Sequence, residues 1–218
     1  MDEDLVDKLR GKFVVLDGPD GCGKTTQLGR LAEAMTAAGG DVVRTRDPGG
    51  TEIGDRIRHI LLDYDLSRMD VRCETLLFMA SRAQLVGEVI GPALTAGRTV
   101  ICDRFISSTC AYQGAAGHDV EAVIRLGDSA VGRTWPDVTC VLDLPPEEGL
   151  ERARRRSADS NRSTDAMEAR PLAFHRRVRE LFVELPGVYP RPVVIVDARG
   201  TVDEVFSAIV EALSHADF

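Results

Sequence analysis

Short apolar runs at 13–17, 41–45, 99–102, 138–142 and 193–196 recur along the chain, separated by longer stretches in which apolar residues return every three or four positions. The short runs fit strands buried on both faces, and the longer spacing fits amphipathic helices. Their alternation predicts an α/β protein, a three-layer arrangement in which a five-stranded, mainly parallel sheet is flanked by helices. Leu28, Leu31, Ala32 and Met35 mark one helix. A second over 53–62 carries Ile53, Ile57, Ile60 and Leu61 on one face, a long third spans 71–95 and ends at Gly97, and 120–132 and 174–185 are two more. The pattern fails over 152–170, where arginine, serine, aspartate and asparagine displace apolar residues. Such a stretch has little to pack and reads as an exposed flap on a single domain covering 1–218, with 1–10 as an N-terminal extension.

Between the first run and the first helix stands Gly18-Pro19-Asp20-Gly21-Cys22-Gly23-Lys24-Thr25, which fits G-x-x-x-x-G-K-[ST] in the strand–loop–helix setting that the motif requires. Backbone N–H groups of such a loop turn inward onto phosphate oxygens, and the helix N-terminus favours negative charge. The expected phosphate-binding set is Gly18, Asp20, Gly21, Cys22, Gly23, Lys24, Thr25 and Thr26, with Lys24 reaching the β/γ-phosphates and Thr25 a ligand for Mg2+. Lys24 is one of only three lysines in the chain, beside Lys8 and Lys12; every other cationic side chain apart from histidine is arginine.

With 218 residues, 44% of them hydrophobic, the chain can bury one substantial core. A net charge of -8 argues against a general duplex-binding surface, which needs clustered positive charge, while small phosphorylated ligands need it only locally. The five cysteines show no C-x-x-C spacing and read as reduced, mostly buried thiols of a cytoplasmic protein. No apolar stretch approaches membrane-spanning length. The chain also lacks the [NT]-K-x-D run of common GTPases.

Three further segments narrow the function: Arg46-Asp47-Pro48-Gly49-Gly50-Thr51, Leu76-Leu77-Phe78-Met79-Ala80-Ser81-Arg82 and Cys102-Asp103-Arg104-Phe105, the last running on to Ser108-Thr109-Cys110-Ala111-Tyr112-Gln113. Phe78 and Arg82 are one helical turn apart, so a flat ring and a guanidinium share a face and can stack on and hydrogen-bond to a base. Arg46 and Arg104 stand at the ends of two strands, where open α/β sheets place ligands, and can together hold a phosphate while Asp103 helps to position Mg2+. Asp143 is a competing acidic strand end, and Asp17 could support the metal from outside.

Together with the phosphate loop, these segments resemble those of the thymidylate kinase family, R-E-P-G-G-T, L-F-x-x-x-R and D-R-[YFH], in the same order and over roughly residues 12 to 213. The resemblance implies Mg2+-dependent transfer of the ATP γ-phosphoryl group to dTMP, by a homodimer. It implies that Phe78 stacks on thymine, Arg82 meets its carbonyl edge, Asp20 binds the sugar 3′-hydroxyl, Tyr112 crowds the 2′ position, and Ser108 and Thr109 lie near the base edge. In the family a lid supplies a catalytic arginine when the phosphate loop carries none, as here. Arg152, Arg154, Arg155, Arg156 and Arg162 are the local candidates, with Arg155 in the expected catalytic set beside Lys24, Asp103 and Arg104. The family lid ends in D-R-x-E, whereas this chain reads Asp165-Ala166-Met167-Glu168, so either Arg162 or Arg170 takes over the missing contact or the protein closes less tightly over ATP. A kinase for another pyrimidine monophosphate such as dUMP, and a sensor that binds ATP and dTMP without turnover, are the alternatives.

Overall fold

A computed structural model describes residues 3–63, 69–160, 167 and 169–217. Its centre is a five-stranded sheet of β1 (Phe13–Asp17), β2 (Val42–Arg46), β3 (Thr99–Asp103), β4 (Val138–Asp143) and β5 (Val193–Asp197), in the order β2-β3-β1-β4-β5. All four pairings are parallel, and each strand lies within one residue of its apolar run. The three inner strands are buried at nearly every position because helices cover both faces, which is why their sequences are continuous rather than alternating.

Successive side chains of a strand point to opposite faces, and the core divides accordingly. Phe13, Val15, Val100, Cys102 and Val141 face one layer, built from α4 (Val71–Leu85), α6 (Ile106–Ala115), α7 (Val120–Val131) and α9 (Leu172–Glu184). Val14, Leu16, Ile101, Cys140 and Leu142 face the other, built from α1 (Glu3–Leu9), α2 (Lys24–Ala37) and α10 (Val202–His215). The three layers expected from the sequence are thus present. The N-terminal extension belongs to the second: Leu5 and Leu9 enter that core, and Lys8 Nζ donates to the carbonyl oxygens of Ser214 and Ala216 at 2.8 and 2.6 Å.

The long helix over 71–95 is one continuous rod in three pieces, α4, a π-helical turn at Val86–Ile90, and α5 (Gly91–Thr95). The second helix, α3 (Glu52–Asp63), packs against α4, yet Ile53 and Ile60 remain 52% and 47% exposed while Leu61 is buried.

The stretch expected to be an exposed flap begins inside a helix on which Arg152, Arg154 and Arg155 are exposed. Residues 146–160 form a helix, α8 (Pro146–Ser160), whose Ala153 is buried, and Met167 beyond it is buried in the first core. Small residues, Gly149 and Ala153, make the inward face of α8, so its packing escapes a reading that looks for large apolar side chains. Arg162 and Ala166 lie outside the described residues, as does the side chain of Arg156.

Candidate active site

The carboxyl ends of β1, β2 and β3 meet where the strand order turns back on itself, the position at which open α/β sheets bind ligands. Register fixes what arrives there: Leu16 and Arg46 both pair with Asp103, which places the phosphate loop after β1 beside the Asp103–Arg104 strand end. Thr25, the second residue of α2, donates from Oγ1 to Asp103 Oδ2 at 2.9 Å.

Two glycines of the loop are demanded for different reasons. Gly21 has φ +74°, and a Cβ there would lie 1.9 Å from the carbonyl oxygen of Gly149, so the loop backs directly onto the first turn of α8. Gly23 has φ +97°, and a Cβ there would meet no protein atom within 4 Å; its left-handed backbone opens the N-terminus of α2 towards empty space. No side chain caps that terminus, so its first N–H groups are free to bind an anion. Lys24 Nζ donates to the carbonyl oxygens of Gly18 and Pro19 at 2.9 and 2.8 Å, closing the loop. Cys22 fills the loop's inside at 2% exposure, and burial pushes its thiol pKa up.

A charged network links this loop to α6. Asp17 is fully buried and accepts from Ser107 Oγ at 2.5 Å, Ser108 Oγ at 2.6 Å and the Gly18 N–H at 2.9 Å. It therefore orients the loop and α6. Arg104, held at φ +69° with its N–H on the Leu16 carbonyl, donates to Asp20 Oδ1 at 2.5 Å, to the Gly18 carbonyl at 3.1 Å and to Ser108 Oγ at 3.0 Å. Tyr112 donates to the other Asp20 oxygen at 2.7 Å. Burial alone would raise the Asp20 pKa, but Arg104, Lys24 and the Tyr112 hydroxyl outweigh it and bring it below the ordinary carboxylate value. The Tyr112 pKa is pushed well up by burial, so this phenol stays a donor.

Beside the network opens a cleft of about 550 Å³, solvent mouth included. Asp20, Phe78, Arg82, Arg104, Ser108, Thr109 and Tyr112 all line it, so seven of the eight residues expected around dTMP converge. Phe78 is half-buried on α4, and Arg82, one turn on, is 1% exposed. Its guanidinium donates to Asp47 Oδ2, the Met79 sulfur, the Phe105 carbonyl and Thr109 Oγ1. Thr109 is thus tied to Arg82 and Ser108 to Arg104 and Asp17.

Arg46 is the expected residue that does not join them. Its side chain is 56% exposed and reaches Asp55 at 3.3 Å, outside the cleft wall. Arg58 and Leu62 of α3 line the cleft instead, with Arg58 donating to the Pro48 carbonyl at 2.9 Å; Asp47, Pro48, Gln113 and Met167 complete the wall. The sequence signal for Arg58 was its one-turn offset from Leu62, a stripe masked by the isoleucines. Asp143, the competing acidic strand end, is taken by Arg179 through two hydrogen bonds at 2.7 and 2.8 Å. Arg155 points to solvent and pairs with Glu151 at 2.8 Å, while Arg152 donates to the Ala198 carbonyl at 3.4 Å. Arg170 lies 4.0 Å from Glu74.

Mg2+ prefers oxygen donors, keeps several waters, and is commonly held through one or two side chains together with substrate phosphates. The Thr25 hydroxyl and Asp103 carboxylate, side by side at the loop's mouth, fit that demand. Among the described residues no helix is long and apolar enough to cross a membrane.

A phosphate loop at the switch point of a parallel sheet, with a second cleft adjoining it through Asp20 and Arg104, fits a phosphate-loop phosphotransferase. The model of the family described as thymidylate kinase matches residues 16–209. The chain belongs to the thymidylate kinase family. It is 44% identical over 206 residues to a thymidylate kinase of Syntrophotalea carbinolica, covering 94% of this chain and 95% of the relative. It is 46% identical over 202 residues to one of Pelobacter propionicus, covering 92% of each. It is 43% identical over 206 residues to one of Deinococcus radiodurans, covering 94% of this chain and 97% of the relative.

Proposed function

We propose that the protein is a dTMP kinase that moves the γ-phosphoryl group of ATP onto dTMP, giving dTDP and ADP. The observation that carries this reading is the Asp20–Arg104–Tyr112 network, which joins the phosphate loop to the acceptor cleft so that two phosphorylated ligands can meet across it. An oxygen of the dTMP phosphate attacks the γ-phosphorus, and the bond from that phosphorus to the β,γ-bridging oxygen breaks. The attacking phosphate is already ionised at neutral pH, so no strong general base is required, and catalysis rests on positioning and charge stabilisation.

The backbone N–H groups of Gly21, Cys22 and Gly23 and the start of α2 would hold the donor's phosphates, with Lys24 exchanging its carbonyl partners for them. Mg2+, held by Thr25 and Asp103, would neutralise charge between the β- and γ-phosphates. Arg104 and Arg58 would orient the acceptor phosphate, Phe78 would stack on the base and Arg82 would hold its edge. Arg155 would leave Glu151 to reach the transferred group, a motion open to an exposed ion pair worth little by itself. Exposed Ile53 and Ile60 on α3 and Leu76 on α4 support a second copy of the chain packing on this layer. The five free thiols support a reducing, cytoplasmic setting.

The test is ADP release with Mg2+ and ATP across dTMP, dUMP, UMP, AMP, CMP and GMP. Strong preference for dTMP is expected, with Lys24→Ala at least about a thousandfold slower while still folded. Preference for another acceptor, or dTMP binding without turnover, would overturn it. Sedimentation of the intact protein as a monomer would overturn the dimer.

A further inference from the structure

Asp17 ends β1 at 0% exposure, and it stands behind the cleft wall that Ser108 and Arg104 line. Its Oδ1 accepts from two donors at once, the Gly18 N–H at 2.9 Å and Ser108 Oγ at 2.6 Å. Ser108 Oγ in turn accepts from Arg104 Nη1 at 3.0 Å, and Nη1 also donates to the Gly18 carbonyl at 3.1 Å. Four residues thus close a ring of hydrogen bonds, from the first residue of the phosphate loop through Asp17 and Ser108 to Arg104 and back. The carboxylate that the sequence offered as an outer support for Mg2+ is engaged by Gly18, Ser107 and Ser108, and its hydrogen bonds include neither Thr25 nor Asp103.

The ring has a direction. A serine hydroxyl carries one hydrogen and an ionised carboxylate only accepts. Ser108 must therefore give its hydrogen to Asp17 and turn its lone pairs to Arg104. Nη1 carries two hydrogens, and the ring takes both. Nη2 donates to Asp20 Oδ1 at 2.5 Å and reaches the Tyr112 oxygen at 3.5 Å, while Nε has no partner among the described residues. The guanidinium is pinned by its Nη1 side and offers the cleft its Nε and Nη2 side, the edge on which a phosphate can be held by two parallel hydrogen bonds. We infer that Asp17 is a positioning residue for the acceptor: by taking the hydrogen of Ser108 it locks the pose in which Arg104 meets the acceptor's phosphate, in fixed relation to the loop that holds the donor. This inference rests on the cleft being the acceptor site.

The experiment measures dissociation constants for dTMP and for thymidine, which lacks the phosphate, by calorimetry without Mg2+ on the wild-type protein, Asp17→Asn, Ser108→Ala and the double variant. Asparagine keeps the volume of Asp17 and removes its charge. By field alone that change should tighten the binding of an anion, whereas a weakened hold on Ser108 frees Arg104 and loosens it. The ratio of dTMP to thymidine affinity should fall about tenfold in each single variant, through dTMP alone. The double variant should fall less than about threefold further, because both changes cut one chain of contacts. A ratio that rises or stays fixed in Asp17→Asn, equal weakening of both ligands, or single effects that multiply in the double variant overturns the inference. If Asp17→Asn does not fold, Ser108→Ala decides, since a hydroxyl that acts through Arg104 must lower the ratio and one that meets the nucleoside directly weakens both ligands alike. A wild-type protein that binds neither ligand refutes the cleft reading and this inference with it, whereas wild-type binding of both with an unmoved ratio in the variants refutes only the inference.

Discussion

The guanidinium of Arg82 and the carboxylate of Asp47 form an ion pair in the cleft wall, Nε to Oδ2 at 2.6 Å, with side chains 1% and 0% exposed. The pair ties α4 to the turn after β2, and only part of the guanidinium is left for a ligand. Removing one partner of such a pair strands a charge in a dry place, which costs about 3–5 kcal/mol. Asp47→Ala should lose stability on that scale in urea denaturation. A loss below about 1 kcal/mol would mean that water reaches Arg82.

Arg58 and Arg46 separate by position. Arg58 lines the cleft and Arg46 does not. Arg58→Ala should raise KM for dTMP by about tenfold or more at unchanged KM for ATP, the loss of a charged hydrogen bond. Arg46→Ala should change it by less than about threefold. The reverse order would place the acceptor phosphate on the β2 side of the turn.

Phe78 lines the cleft, and if it stacks on the base as proposed, Phe78→Ala loses about 1–3 kcal/mol of dTMP binding. Weaker dTMP binding with intact ATP binding is the expected result in titrations of each nucleotide. Equal weakening of both would make Phe78 a residue that packs against the core rather than one that binds the base.

Gly21→Ala and Gly23→Ala should fail differently. A methyl group on Gly21 collides with the backbone of α8, so melting temperature should drop sharply. On Gly23 it meets no protein, so beyond about 1–2 kcal/mol of left-handed strain the loss should appear in ATP affinity. Two variants with the same profile in melting and nucleotide titration would contradict the assignment of open space at Gly23 to phosphate.

Asp20 sets an acid limit. Its pKa in the folded state lies below the ordinary 3.8, so the stability it contributes is complete above that pH and lost only as pH falls through the lower folded value. The difference in stability between wild type and Asp20→Asn should be flat from about pH 8 to about pH 5 and shrink only below about pH 4. A difference that already fades near pH 6 would show that the carboxylate is protonated there, and that Arg104 and Tyr112 do not hold it as described.

The sheet and its strand boundaries were legible because buried parallel strands carry unbroken apolar runs, and the phosphate loop because glycine, lysine and threonine at fixed spacing have one physical use. Phe78 with Arg82 was legible as a helical pair. Asp47 was not: nothing in Arg46-Asp47-Pro48 distinguishes the residue turned inward from the one turned out, and the obvious choice, the arginine, is the exposed one. Gln113, which lines the cleft, was hidden for the same reason, being an ordinary polar residue on a helix. That 152–160 continues helix α8 was not legible, because arginine and small polar residues displace apolar ones there.

The sequence by itself determined the layered α/β architecture, the phosphate loop and the family, since these depend on local periodicity and on motifs of adjacent residues. Tertiary structure alone decided which side chains share the cleft, because that choice rests on strand register and helix packing. It set Asp103 beside Thr25 and turned Arg58 in and Arg46 out.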